Sequence, residues 1–182
     1  TFKLKSMGLV NDFSVEKNII YVANDAGTVD VFDLTTGKLI NQIVIDLVTS
    51  RMGSLVSPNV ISVDCLNNKL LIVSMGVDSY RNIWTYENFE LKKIIGEDKK
   101  LTVKEARFID NEKIMLGNFS SEIILHDIGE SYDLYKRHVT QSTLGDIALS
   151  EDKSKVVMSD ESGEVRLIDV KTSKTLKVFS SQ

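Results

Sequence analysis

The chain has 182 residues, 42% hydrophobic and 26% charged, with a formal net charge of −4. That composition supports a globular core and lacks the basic excess that phosphate contacts demand, which sets nucleic-acid binding aside. No apolar run approaches the roughly 20 residues of a membrane-spanning helix, the opening TFKLKSMGLV lacks the long apolar segment of a signal peptide, and the one cysteine, Cys65, excludes an intramolecular disulfide while fitting a cytoplasmic or a periplasmic location equally.

In chain order, the first segment is TFKLKS (1–6), which is similar to KTLKVFSS (174–181) and reads as the outer strand of a preceding unit. Four units follow, at 8–45, 59–95, 102–137 and 144–181. They are anchored on VFDL (31–34), IWTY (83–86), LHDI (125–128) and LIDV (167–170), whose third residues Asp33, Thr85, Asp127 and Asp169 are spaced 52, 42 and 42 residues apart. Thirteen residues before each anchor stands Ile20, Ile72, Ile114 or Val156, opening an apolar run. Six residues before it stands Gly27, Ser79, Ser121 or Gly163, each a turn former. Gly37 and Ser173 repeat the turn signal four residues after Asp33 and Asp169. Further upstream an alternating segment carries Phe13, Cys65, Phe108 or Leu149, all expected in a core, and Trp84 is expected to be buried with them.

Each unit therefore reads as four strands joined by turns. In the first unit TVDVFDL is the third strand, TTGK the hairpin turn and LINQIVI the outer strand. Period-2 alternation puts one face of each strand in a core, and Val, Ile, Phe and Tyr dominate the runs, as strands prefer. No window shows a helical stripe of three turns. Four strands in a period of about 42 residues predict an all-β chain, a β-propeller of about four recognisable four-stranded blades. One such sheet cannot bury both faces alone, and radial stacking answers that. The extra strand at 1–6 favours a part of a larger propeller over a closed ring of four, and an incomplete propeller would complete itself by self-association with another copy.

NDAGTVDVFDLTTGKLI and DESGEVRLIDVKTSKTL resemble WD40 repeats, with a polar-Gly turn, an alternating strand and a turn to the outer strand; YVANDAGTVDVFDLTTGK also looks like the bacterial YVTN propeller repeat. The resemblance covers nearly the whole chain. It departs from WD40 where Phe32, Trp84, His126 and Ile168 hold the Trp position, where Thr85 replaces the Asp, and where no Gly-His pair precedes a first strand. The resemblance implies a noncatalytic protein-protein interaction scaffold with another protein as partner. Two further readings stand beside it: an enzyme or small-molecule binder using a central channel, and a periplasmic accessory propeller of a bacterial respiratory (nitrate reductase) system. The channel reading requires convergent polar groups, and Asp12, Asp64, Glu105 and Asp146, in the first strands, share no aligned repeat position.

No catalytic motif is present: there is no G-x-S-x-G, Walker loop or G-x-G-x-x-G. No cofactor or metal is expected, since two histidines and one cysteine cannot assemble a zinc set by spacing. His126 is expected as a buried structural residue between blades, and His138 as a loop residue. The carboxylates of NDAGTVD and DESGE lie near glycines as calcium loops do, but lack EF-hand spacing and read as turns. Asn118-Phe119-Ser120 matches a glycosylation sequon. Two insertions break the repeat, DLVTSRMGSLVSPN (46–59) and MGVDSYRN (75–82). Both connection types open on the same rim of a blade, and long loops on a rigid scaffold carry binding function. The expected partner-binding residues are Arg51, Met52, Tyr80 and Arg81, the arginines as donors and Tyr80 as an apolar anchor.

Overall fold

The computed structural model describes residues 3–180. The chain divides into two compact units, Thr1–Leu101 and Thr102–Gln182. In the first, β1 (Val10–Glu16), β2 (Ile19–Asn24), β3 (Thr28–Asp33) and β4 (Leu39–Val44) form sheet one as an antiparallel meander. A two-stranded hairpin follows, β5 (Val48–Thr49) with β6 (Leu55–Val56). Sheet two is β7 (Val60–Leu66), β8 (Lys69–Met75), β9 (Arg81–Glu87) and β10 (Glu90–Ile95). In the second unit, sheet three is β11 (Val103–Phe108), β12 (Lys113–Asn118), β13 (Glu122–Asp127) and β14 (Tyr132–His138). Sheet four is β15 (Leu144–Leu149), β16 (Lys155–Asp160), β17 (Glu164–Asp169) and β18 (Thr175–Ser180). The fold is all-β, and its four four-stranded sheets are blades of β-propeller type. Helix among the described residues is limited to two single 3-10 turns, Val77–Ser79 and Glu97–Lys99.

Strand register places the repeat in space. Ile20 pairs with Phe32, Ile72 with Trp84, Ile114 with His126 and Val156 with Ile168. The four residues at the Trp position are all buried. The turn columns hold as well. Gly27, Ser79, Ser121 and Gly163 all have positive φ, between 56° and 88°, and so do Gly37, Phe89, Ser131 and Ser173, four residues after each anchor.

The anchor aspartate ends its strand because the next turn needs a cap. Asp33 Oδ1 accepts the Thr36 N–H at 2.7 Å, Asp169 Oδ1 the Thr172 N–H at 2.7 Å and Asp127 Oδ1 the Glu130 N–H at 3.0 Å. These side chains mimic a backbone turn. Sheet two has Thr85 instead, and its strands meet over Asn88 and Phe89 at φ 52° and 65°, the two left-handed residues of a tight hairpin turn. Such a turn closes without a carboxylate.

In each unit the two sheets pack face to face. In the first, Ala23, Val29, Val31 and Ile43 of sheet one meet Val63, Leu70, Ile72 and Trp84 of sheet two. In the second, Met115, Ile123 and Leu125 of sheet three meet Ile147, Val156, Met158 and Ile168 of sheet four. Gly117 lets them approach, since a Cβ there would lie 2.8 Å from Leu144 Cδ2. Trp84 donates its indole N–H to Ser74 Oγ at 2.9 Å, so its polar edge is satisfied as well.

Several expectations need correction. Phe13 is 60% exposed, not in a core. Cys65 is half-buried, with Sγ 3.1 Å from Ser14 Oγ. The residues paired with Ile20, Ile72, Ile114 and Val156 in the first strands are Val15, Val63, Phe108 and Leu149. The first hairpin varies in length between sheets, so a fixed offset misaligns that strand by two residues while keeping its face. Residues 3–6 form no strand within the chain, and Thr1 and Phe2 lie outside the described residues, as does Ser181 at the end of the fourth unit.

Candidate functional site

The two insertions come together at one end of the first unit. Residues 46–59 contain the β5–β6 hairpin, closed by a Ser50 N–H to Ser54 carbonyl bond at 2.7 Å and by the paired hydroxyls of Ser50 and Ser54 at 2.8 Å. Gly53 at φ 81° supplies its left-handed turn residue. Met52 at the tip is 97% exposed, and Leu55 and Val56 on β6 and Leu47 just before β5 are exposed too.

The second insertion is a tight turn rather than an open loop. Gly76 donates to the Tyr80 carbonyl at 2.7 Å, and Asp78 and Ser79 have positive φ. Glu97 holds it from beneath, accepting the Val77 N–H at 2.7 Å and the Asn82 side-chain amide at 3.2 Å. A Cβ on Gly76 would fall 2.0 Å from Glu97 Oε2, so this clamp requires glycine.

Arg51 Nε is paired with Asp78 Oδ1, linking the two insertions. Both side chains are largely solvated, so the pair adds at most about 1 kcal/mol. Tyr80 is half-buried. Arg81 departs from its expected role: it is 6% exposed, and its guanidinium donates to the Ser79 and Tyr80 carbonyls. It braces the turn instead of facing a partner, and burial pushes its pKa down. The signal missed in the sequence is the hairpin itself, whose exposed Leu47, Leu55 and Val56 look like ordinary strand residues.

The remaining candidates have structural uses. His126 is buried, with Nδ1 2.7 Å from Asp133 Oδ1, and its Nε2 has no partner among the described residues. His138 is exposed, its Nε2 3.8 Å from Glu122. Asn118 of the sequon is 3% exposed and donates its amide to Glu122 at 2.8 Å, which leaves no room for a glycan. In NDAGTVD, Asn24 Oδ1 accepts the Ala26 N–H at 3.0 Å and Asp25 accepts the Leu9 N–H at 2.8 Å. In DESGE, Asp160 Oδ1 accepts the Ser162 N–H at 2.9 Å. Asn24 and Asp160 thus cap their own turns, and Asp25 ties its turn to the segment that precedes β1. Among the described residues no three His, Cys, Asp or Glu side chains converge as metal ligands.

The first-strand carboxylates revise the sequence reading. A β-bulge interrupts each first strand, and the residue after it is Asp12, Ser62, Glu105 or Asp146. Asp12, Glu105 and Asp146 thus share one repeat position, and Asp64 does not. Asp12 Oδ2 accepts the Val63 N–H of sheet two at 3.0 Å, and Glu105 pairs with Arg107. Asp12 ties sheet one to sheet two, whereas the Glu105 pair stays within its own strand β11.

Each unit also has an apolar groove where its two sheets meet. In the first it measures about 320 Å³ and includes Tyr21, Ile40, Tyr86 and Phe89. In the second it measures about 660 Å³ and includes Leu134, Tyr135 and Val170. Tyr135 donates to the Val170 carbonyl at 2.7 Å, and burial raises its pKa to about 12. No helix among the described residues is long and apolar enough to cross a membrane.

No protein-family model matches the chain. Comparison with curated proteins also returns no match.

Proposed function

We propose that the protein is a noncatalytic protein-interaction scaffold of WD40-like type, and that its partner docks on the β5–β6 hairpin. The observation that carries this reading is the apolar exposure of this insertion, with Met52 at the hairpin tip, Leu55 and Val56 on β6 and Leu47 just before β5 all in solvent on a small element closed by its own hydrogen bonds. Clustered exposed apolar side chains mark interaction sites, and a hairpin on a sheet scaffold presents them with little ordering entropy left to lose. Arg51 already has Asp78 as a partner and Arg81 is buried, so the surface favours an apolar cleft over an acidic patch.

The test is capture of partners from the native source by the chain and by the triple variant Arg51→Ala, Met52→Ser, Leu55→Ser. Recovery should fall at least tenfold while the melting temperature stays nearly unchanged, because exposed substitutions shift stability by only about 0.5 kcal/mol. Equal recovery by the folded variant would overturn this assignment of the surface.

A further inference from the structure

The apolar groove of the second unit carries charge that the groove of the first unit lacks. The two grooves occupy corresponding places. Val31 and Leu125, each one residue before the Trp position, line them from the third strand of a blade, and Ile40 and Leu134 line them from the outer strand. Across from Val31 and Leu125 stand Asn41 and Tyr135. Among the described residues no charged side chain lines the first groove. Lys113, Lys153, Lys171, Asp110 and Asp169 line the second.

The two acids there are already matched. Asp110 Oδ2 lies 3.5 Å from the Lys113 ammonium, and its Oδ1 accepts the Glu112 and Lys113 N–H groups, each at 2.8 Å. Asp169 Oδ1 accepts the Thr172 hydroxyl at 2.6 Å and the Thr172 N–H at 2.7 Å, and Lys155 stands opposite Asp169 across the β16–β17 pair. The ammonium groups of Lys153 and Lys171 make no ion pair or hydrogen bond among the described residues. They are surplus positive charge beside an apolar wall of Ile109, Leu125, Leu134, Tyr135 and Val170.

The backbone bordering the groove is engaged as well. Val170 donates its N–H to the Ser154 carbonyl at 2.9 Å, and its own carbonyl accepts the Tyr135 hydroxyl at 2.7 Å. The Ile109 and Asp110 N–H groups both turn to the Lys113 carbonyl, at 2.9 and 3.2 Å. A docking peptide needs partners for its own N–H and C=O groups, and these positions are taken. An alkyl chain needs none. An apolar wall with a few charged groups is the usual form of a small-molecule site, and about 660 Å³ lies within the roughly 300–1,000 Å³ of such sites.

We propose that this groove binds an amphipathic monocarboxylate of fatty-acid type, with its tail against Leu125, Leu134 and Tyr135 and its carboxylate held by Lys153 and Lys171. The head group is ionised at neutral pH and pairs with the surplus ammonium groups, while Asp110 and Asp169 keep their own partners. Burial of the tail supplies affinity, and the lysines select the sign of the head group. The site lies within the second unit and is independent of the hairpin assignment in the first.

The experiment is calorimetric titration of the full chain with decanoate. Decyltrimethylammonium, with a tail of similar length and the opposite charge, and acetate, the head group alone, are the comparison probes. Decanoate binds saturably at one site per chain, decyltrimethylammonium binds at least roughly tenfold more weakly, and acetate does not bind. The double variant Lys153→Gln, Lys171→Gln, with both changes in turns outside the strands, loses the preference for decanoate. Phe89→Ser, in the first groove, leaves decanoate binding unchanged. Absence of saturable decanoate binding, equal binding of the two long-chain probes, a double variant that keeps the preference, or loss of binding in Phe89→Ser overturns the proposal.

Discussion

The same face of the repeat appears in sheets one and two with opposite fates. In sheet two it holds Val63, Ile72 and Trp84, all at most 2% exposed beneath sheet one. In sheet one the matching residues are Val15, Ile20 and Phe32: Val15 is exposed, Ile20 is half-buried, and only Phe32 is fully covered. The strand pattern is equivalent in both. What differs is the neighbour, because alternation creates an apolar face and only a second surface removes it from water.

The largest effect should come from the covered side. Trp84→Ala is expected to cost about 3–5 kcal/mol, since it removes a fully buried ring and leaves a cavity between two sheets. Urea unfolding of the two proteins measures it, and a loss under 1 kcal/mol would mean that the face is not packed as described. Gly117→Val tests whether the covered version is equally tight in the second unit. The added carbons meet Leu144 and Ile147, and about 1–3 kcal/mol is expected from overpacking; a neutral result in the same assay would show that sheets three and four can separate freely.

Asp30 sharpens the open side of the comparison. Burial alone would raise its pKa, but hydrogen bonds from the Met7 N–H and from Ser6, Gln42 and Thr28 hold it below the ordinary carboxylate value. A depressed folded pKa means that the stabilisation is complete above the unfolded value of about 3.9 and is lost as the pH falls through the lower folded value. Asp30→Asn should therefore cost about 1.5 kcal/mol at neutral pH and progressively less in acid, with amide exchange at Met7 accelerated throughout. Parallel pH profiles for the variant and the wild-type chain would rule out this role. The smallest effect belongs to Phe13→Ser, expected within about 0.5 kcal/mol because the side chain is exposed. A cost near that of Trp84→Ala in dilute protein would show that Phe13 is covered after all.

The hairpin that carries the proposed function was half visible. Its position follows from the break in the repeat, because the 42-residue units manage without residues 46–59. Its form does not follow: nothing in DLVTSRMGSLVSPN distinguishes a strand pair with an apolar tip from an irregular loop. Arg81 misleads for a related reason. An arginine next to Tyr80 in a loop reads as solvent-exposed, yet the left-handed residues Asp78 and Ser79 turn their carbonyls toward it, and the buried guanidinium closes the turn.

By itself the sequence determined the four strands of each blade, the pairing of the second strand with the third, and the turns. Those depend on local chemistry: alternation sets faces, an aspartate caps the turn that follows it, and a residue at positive φ allows the reversal. Even Phe89, a poor turn residue by type, falls in the column that Gly37 and Ser173 mark. Tertiary structure alone decided which of four equivalent faces are buried and that Asp12, Glu105 and Asp146 share a position. Those outcomes depend on hairpin lengths, on bulges and on which sheet lies against which. A two-residue difference in the first hairpin realigns a column without changing its alternation, and the presence of a neighbouring sheet is written in no single strand.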